Sequence, residues 1–206
     1  MTPRIIDTPP APGTDEWRRI ISASKVPAIL GLSRFQSQYA MWHEMAGNVD
    51  PKLIEGDHLD WGHDAELSLA AWWKRHNPQW RLNAVRKGRS EVTYTDDDLP
   101  FPNLATLDRR AINLSRRKVE GRYHIVECKT ARDIDAWGRP GDPDAVPADY
   151  YAQVMFQMGV SGIHEASLVV LGYGVPEIHP VEFDQHLFDG IVDRCMQWWE
   201  TLQAGT

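Results

Sequence analysis

The chain has 206 residues, 42% hydrophobic and 25% charged, with a formal net charge of −7 and a pI near 5.6. That size suits one domain with a sizeable core, or a domain with a small lobe. Two cysteines, Cys128 and Cys195, exclude a disulfide framework, a four-cysteine zinc site and an iron–sulfur cluster, and suit a reducing compartment.

The acidic total is unevenly spread. Residues 71–132 hold fourteen Lys/Arg against seven Asp/Glu, while the rest of the chain holds eight against twenty-two. A basic middle in an acidic chain reads either as a local field aimed at an anion or as uneven scatter of solvated charge. The opening residues carry no apolar leader pattern, and no stretch is long and apolar enough to span a membrane.

Residues 1–15, rich in Pro and Thr, read as a flexible N-terminus preceding one domain over 16–206. Residues 22–33, SASKVPAILGLS, predict a short helix capped by Ser22 or Ser24 and stopped at Gly31. Helical spacing continues over 37–47. The clearest helix is 61–78, ended by Asn77-Pro78. Weak strand signals at 81–95 precede a strand over 103–114, a turn at 115–121 and a strand over 122–131, which together predict a hairpin.

A loop dense in Gly, Pro and Asp spans 132–149, long enough to suggest function or mobility. A helix (150–162), a buried strand (165–174) and an edge strand with a proline (177–183) follow. Asp184 caps a last helix with Leu187, Ile191, Cys195 and Trp198 or Trp199 on one face. This order predicts an α/β (α+β) domain with a central mixed sheet flanked by helices.

Within this frame three acids and a lysine stand out. Glu66 lies on the apolar stripe of helix 61–78, Asp108 ends the apolar run LATL, and Glu127 sits in the strand IVECKTA with Lys129 two residues on, on the same face. Singly each has a plain reading: a rim carboxylate, a turn residue, a cross-strand charge pair. Together they describe carboxylates converging on a strand end, where a hard divalent cation, Mg²⁺ or Mn²⁺, relieves their repulsion. Lys129 could then orient or help deprotonate an attacking water, or stabilise charge on a phosphate. Scattered histidines, and the absence of a Gly-rich phosphate loop or a G-x-S-x-G elbow, argue against a small-molecule enzyme.

The D…ExK arrangement resembles the PD-(D/E)xK nucleases. Five blocks narrow the resemblance to the lambda-exonuclease-like, YqaJ-type phage recombination exonucleases: residues 21–47, WGHDAE (61–66), ATLD (105–108), VECKTA (126–131) and YYAQVMFQMGVSG (150–162). Only residues 1–15 and roughly the last thirty lie outside it. Leu107 and Arg109 depart from the Pro and Gly usual around the aspartate, and Cys128 replaces an aliphatic residue; none of these removes a ligand.

The resemblance implies a restriction-endonuclease-like fold and a Mg²⁺-dependent deoxyribonuclease, with Mn²⁺ able to substitute. It implies digestion of linear double-stranded DNA from 5′ to 3′, leaving 3′ single strands for recombination. Asp108, Glu127 and the Cys128 carbonyl would hold the metal, and Glu66 would bind it directly or through water. Lys129 would be the catalytic lysine, and Gln153 of the YxxQ motif would support the site, where its plain reading is solvent exposure or capping of a neighbour.

Ser24, assisted by Arg18 or Arg19, would bind a DNA 5′ phosphate; its plain reading is a helix cap. A homotrimeric ring, a single-strand annealing partner and a cytoplasmic, phage-encoded setting are also implied. Two other readings stand beside this one: a sequence- or structure-specific endonuclease of the same fold, and a non-catalytic DNA-binding protein on the same scaffold.

Overall fold

A computed structural model describes residues 2–50, 56–85, 90–116, 121–132 and 134–205, with only the helical backbone at 57–60. The architecture is mixed α/β, two mixed sheets flanked by helices. The first sheet runs β1 (Pro3–Ile6), β4 (Val92–Asp96), β5 (Asn103–Leu107), β2 (Ile21–Ser22). The second runs β3 (Trp80–Leu82), β6 (Arg109–Asn113), β7 (Tyr123–Thr130), β8 (Glu165–Leu171), β9 (Glu177–Glu182). Helices α1 (Asp15–Arg18), α2 (Val26–Ile29), α3 (Gln38–Met45), α4 (Asp57–His76), α5 (Ala148–Ser161) and α6 (Gln185–Ala204) complete the chain, with a 3₁₀ turn at Ile134–Ala136.

The expected strand over 103–114 is two strands. The chain bends at Asp108 and passes from the first sheet into the second, so only its second half pairs with β7, as Arg109↔Val126 through Ile112↔Tyr123. In place of a ladder bond beyond Arg109, the Asp108 carboxylate accepts the Cys128 N–H at 2.7 Å. A short acidic side chain can substitute for backbone in this way, which is why the break coincides with the aspartate.

Strands β7 and β8 are parallel, joined by α5, which packs over β5 and β4. Alternation along β7 divides its side chains between two cores. Ile125 belongs to the core under α5, with Leu107, Val154, Met158 and Leu168; Val126 and Cys128 belong to the core under α4, with Ala65, Leu69, Ala70 and Trp73. Glu127 and Lys129 therefore share the α5 face.

Other elements differ locally from expectation. Pro3–Ile6, where no element was expected, pairs antiparallel with β4; its exposed residues offer backbone pairing rather than an apolar pattern. The helix expected over 22–33 contracts to α2, with Lys25 at the N-cap and no side-chain capping bond, so neither Ser22 nor Ser24 caps it. Asp184 does cap α6, accepting from the Leu187 N–H. The apolar face of α6 is Phe188, Ile191 and Cys195, while Leu187 is exposed. Parts of the expected turn at 115–121, of the 81–95 strand signals and of the 132–149 loop lie outside the described residues. No described helix is long and apolar enough to cross a membrane.

Candidate active site

Glu127 is the centre of the site. It is 1% exposed, and a buried carboxylate is tolerated only when its oxygens are satisfied. Its Oε1 accepts from Lys129 Nζ at 2.8 Å and from Gln153 Nε2 at 2.8 Å; its Oε2 accepts from Gln157 Nε2 at 3.0 Å. The two glutamines stand one helical turn apart on α5, so one helix face supplies two amides to one carboxylate. Gln153 was legible in the YxxQ motif. Gln157 was missed, although its i, i+4 spacing from Gln153 is visible in the sequence.

Burial works against the charge of Lys129, but Glu127 and Asp108 more than offset this and raise its pKa, so the ammonium stays protonated. Its Nζ also lies 5.5 Å from the Tyr150 ring centroid. Asp108 is shifted upward, first by desolvation and then by the charge of Glu127, with Lys129 opposing and Glu66 adding. Glu66 is likewise raised, by burial first; His63, one turn earlier on α4, pulls it down, and Glu91 and Glu127 push it up. The three acids therefore feel one another.

They arrive from different sides. Glu66 belongs to α4, whose Glu66 carbonyl lies 3.6 Å from Cys128 Sγ on the face of β7 opposite Glu127. Among the described residues, no group of three or more His, Cys, Asp or Glu side chains is drawn close enough to hold an ion. A hydrated Mg²⁺ does not need such a cage, since it takes one or two carboxylates and keeps several waters. The donor chemistry fits: the acids offer oxygen only, and the repulsion that adds to the desolvation of Asp108 is the kind a cation removes. The Cys128 thiol is buried, its pKa is pushed up by desolvation, and it packs into the apolar core under α4, on the face of β7 opposite the Glu127 side chain.

The residues expected at a 5′ phosphate are not gathered as simply. Ser24 is exposed, one residue before the α2 N-cap, with its Oγ 3.0 Å from Ser22 Oγ. Arg19 is exposed. Arg18 is largely buried and pairs with Asp15 at 3.2 Å and Asp50 at 3.6 Å. Unforeseen in the sequence, Lys25 is buried beneath this turn, donating to the carbonyls of Trp17, Arg18 and Ile20 at 2.7, 3.0 and 2.8 Å. It thereby ties the Arg18–Arg19 segment to the start of α2.

Known proteins share this framework. The chain is 24% identical over 200 residues to the uncharacterized protein YqaJ of Bacillus subtilis (strain 168), covering 93% of this chain and 57% of that relative, so it spans little more than half the relative's length. An alkaline exonuclease from Laribacter hongkongensis has the same fold, with a TM-score of 0.65 at 16% identity, covering 93% of this chain and 94% of that one. That enzyme has also been solved in complex with dAMP. A phage-related exonuclease from Haemophilus somnus 129PT matches with a TM-score of 0.60 at 13% identity, over 90% of this chain and 96% of the other. The profile of the YqaJ-like viral recombinase domain matches residues 15–164, which include β7, the Asp108 bend and all of α5, and the chain belongs to that family.

Proposed function

We propose that the chain is a divalent-metal-dependent DNA exonuclease. The observation that carries the reading is the buried Glu127, bonded to Lys129 and Gln153 beside the raised Asp108. Family membership supports it, as does the fold shared with two exonucleases. Asp108, Glu127 and the Cys128 carbonyl would hold Mg²⁺ or Mn²⁺, with Glu66 bound directly or through water. A bound ion supplies charge neutralisation and a water of lowered pKa.

The remaining work falls to this chain's own groups. Lys129, held protonated, is suited to donate to phosphate oxygens whose charge grows as the attacking water adds and the bridging P–O bond breaks. That favours electrostatic stabilisation over proton abstraction. Gln153 donates to the same Glu127 oxygen as the ammonium and so helps hold that carboxylate in place. The proposed substrate is linear duplex DNA, degraded from 5′ to 3′ with release of mononucleotides. Ser24 and Arg19, with Arg18, are the proposed phosphate contacts. A homo-oligomer, a trimer by the resemblance, and a single-strand annealing partner belong to the same reading.

The test uses linear duplex labelled at one 5′ or one 3′ end. Wild-type protein is expected to release mononucleotide from the 5′ end with Mg²⁺ and none with EDTA. Lys129→Ala should lower the rate by at least about a hundredfold, the usual scale for losing one preorganised charge contact to the transition state. Full activity in a folded Lys129→Ala protein, or turnover unaffected by EDTA, overturns the assignment.

A further inference from the structure

We propose that Gln157 is a positioning residue that sets how Glu127 and Asp108 are spaced and aimed toward a hard divalent cation. This rests on the metal reading of the site given above. Gln157 is 0% exposed, and its single amide nitrogen makes two bonds, to Glu127 Oε2 at 3.0 Å and to the Thr106 carbonyl at 2.9 Å. Thr106 lies in β5, two residues before Asp108, whereas Glu127 lies in β7. One buried amide thus links β7, which carries Glu127, to the end of β5 just ahead of Asp108, two strands that belong to different sheets.

The amide orientation is dictated by its surroundings. Both neighbours of Nε2 are acceptors, so a flipped amide would set its oxygen against two lone pairs. Among the described residues the buried Oε1 atom has no hydrogen-bond partner, a cost accepted in exchange for that placement. The lone pairs of Glu127 give the reason. A carboxylate offers about four acceptor directions. Lys129 and Gln153 use two on Oε1, and Gln157 uses one on Oε2. By filling one Oε2 direction, Gln157 determines which direction is left for a cation.

Groups that hold a ligating carboxylate typically contribute about 10–100-fold to metal affinity. The test is calorimetric titration of Mn²⁺ into DNA-free full-length protein, wild type against Gln157→Met and Gln157→Ala, with folding checked by thermal melts. Expected is a Mn²⁺ affinity at least tenfold weaker in each variant. In cleavage assays the half-saturating Mg²⁺ concentration should rise about as much, while the rate at saturating Mg²⁺ falls by much less. A folded variant with Mn²⁺ affinity within twofold of wild type overturns the proposal.

A measurement on unmutated protein stands if the variants fail to fold. The Gln157 side-chain amide resonances should shift on Mg²⁺ titration while staying protected from exchange; unshifted or freely exchanging resonances overturn the proposal. No Mn²⁺ binding by wild type would instead overturn the metal reading, and this inference with it.

Discussion

His124 illustrates how much of this protein's pH behaviour lies away from the site. Its ring stacks on Trp73 at a centroid distance of 5.3 Å and meets Trp80 at a tilt at 5.1 Å, and its Nε2 lies 2.8 Å from Ser167 Oγ. Burial lowers its pKa from 6.5 to about 4, against the opposing pull of Glu165. For a base depressed in the folded state, the unfolded chain binds more protons between about 4 and 6.5, so stability is lost as pH falls through that window. The loss is on the order of 3 kcal/mol, because each tenfold drop in proton affinity on folding is worth about 1.4 kcal/mol. His124→Phe keeps the stack and cannot charge. It is expected to cost about 1 kcal/mol at pH 7 for the lost hydrogen bond, yet to flatten the decline between pH 6.5 and 4. Urea unfolding across that range measures both. An unchanged slope would place the acid sensitivity elsewhere, with His179, also depressed by burial, as the next group to replace.

Among the elements, α5 does the most. One face gives Gln153 and Gln157 to Glu127, its first turn gives Tyr150 to Lys129, and its far end packs on α6. Gly159 permits that last contact: a Cβ built there falls 2.1 Å from the Phe188 ring. Gly159→Ala sets two effects against each other. Helix propensity gains about 1 kcal/mol, while overpacking a filled core costs about 1–3 kcal/mol. At 2.1 Å the ring must move bodily, which puts the steric loss toward the upper end of its range, so the variant should be less stable by up to about 2 kcal/mol in urea melts. Phe188→Leu in the same background should recover part of that. If Gly159→Ala is as stable as wild type, α5 and α6 leave more room between them than this contact implies. The glycine looked, in the sequence, like any helical interior residue; only its neighbour from α6 explains it.

At the scale of the molecule, the basic excess over 71–132 has two fates. Part of it is structural: Arg109 is buried and donates to the Asn83 carbonyl, Arg110 lies over Tyr123, and Arg116 pairs with Glu165. Lys129 alone among these faces the acids of the site. Arg86, Lys87, Arg89, Arg117 and Lys118 lie outside the described residues. The exonuclease reading predicts that linear duplex is degraded while covalently closed circular duplex of the same sequence stays intact, read by gel after prolonged incubation with Mg²⁺. Linearisation of the circle would identify an endonuclease of the same fold.

Residue type and local order were enough to mark Glu66, Asp108, Glu127 and Lys129 as the candidate chemistry-bearing set, to which only the family resemblance added Gln153, and to give the mixed α/β class and the α6 cap. These features rest on short-range period and spacing, which are written along the chain itself. Folding added that 103–114 breaks at Asp108, that the helix carrying Glu66 packs on the face of β7 opposite the Glu127 side chain, and that Gln157 and Lys25 are buried on specific acceptors. Their partners are distant in sequence or on other elements, and no local pattern encodes a contact whose other half is supplied by folding. An aspartate that ends a strand and one that moves the chain to a second sheet read the same until the Cys128 N–H is there to meet it.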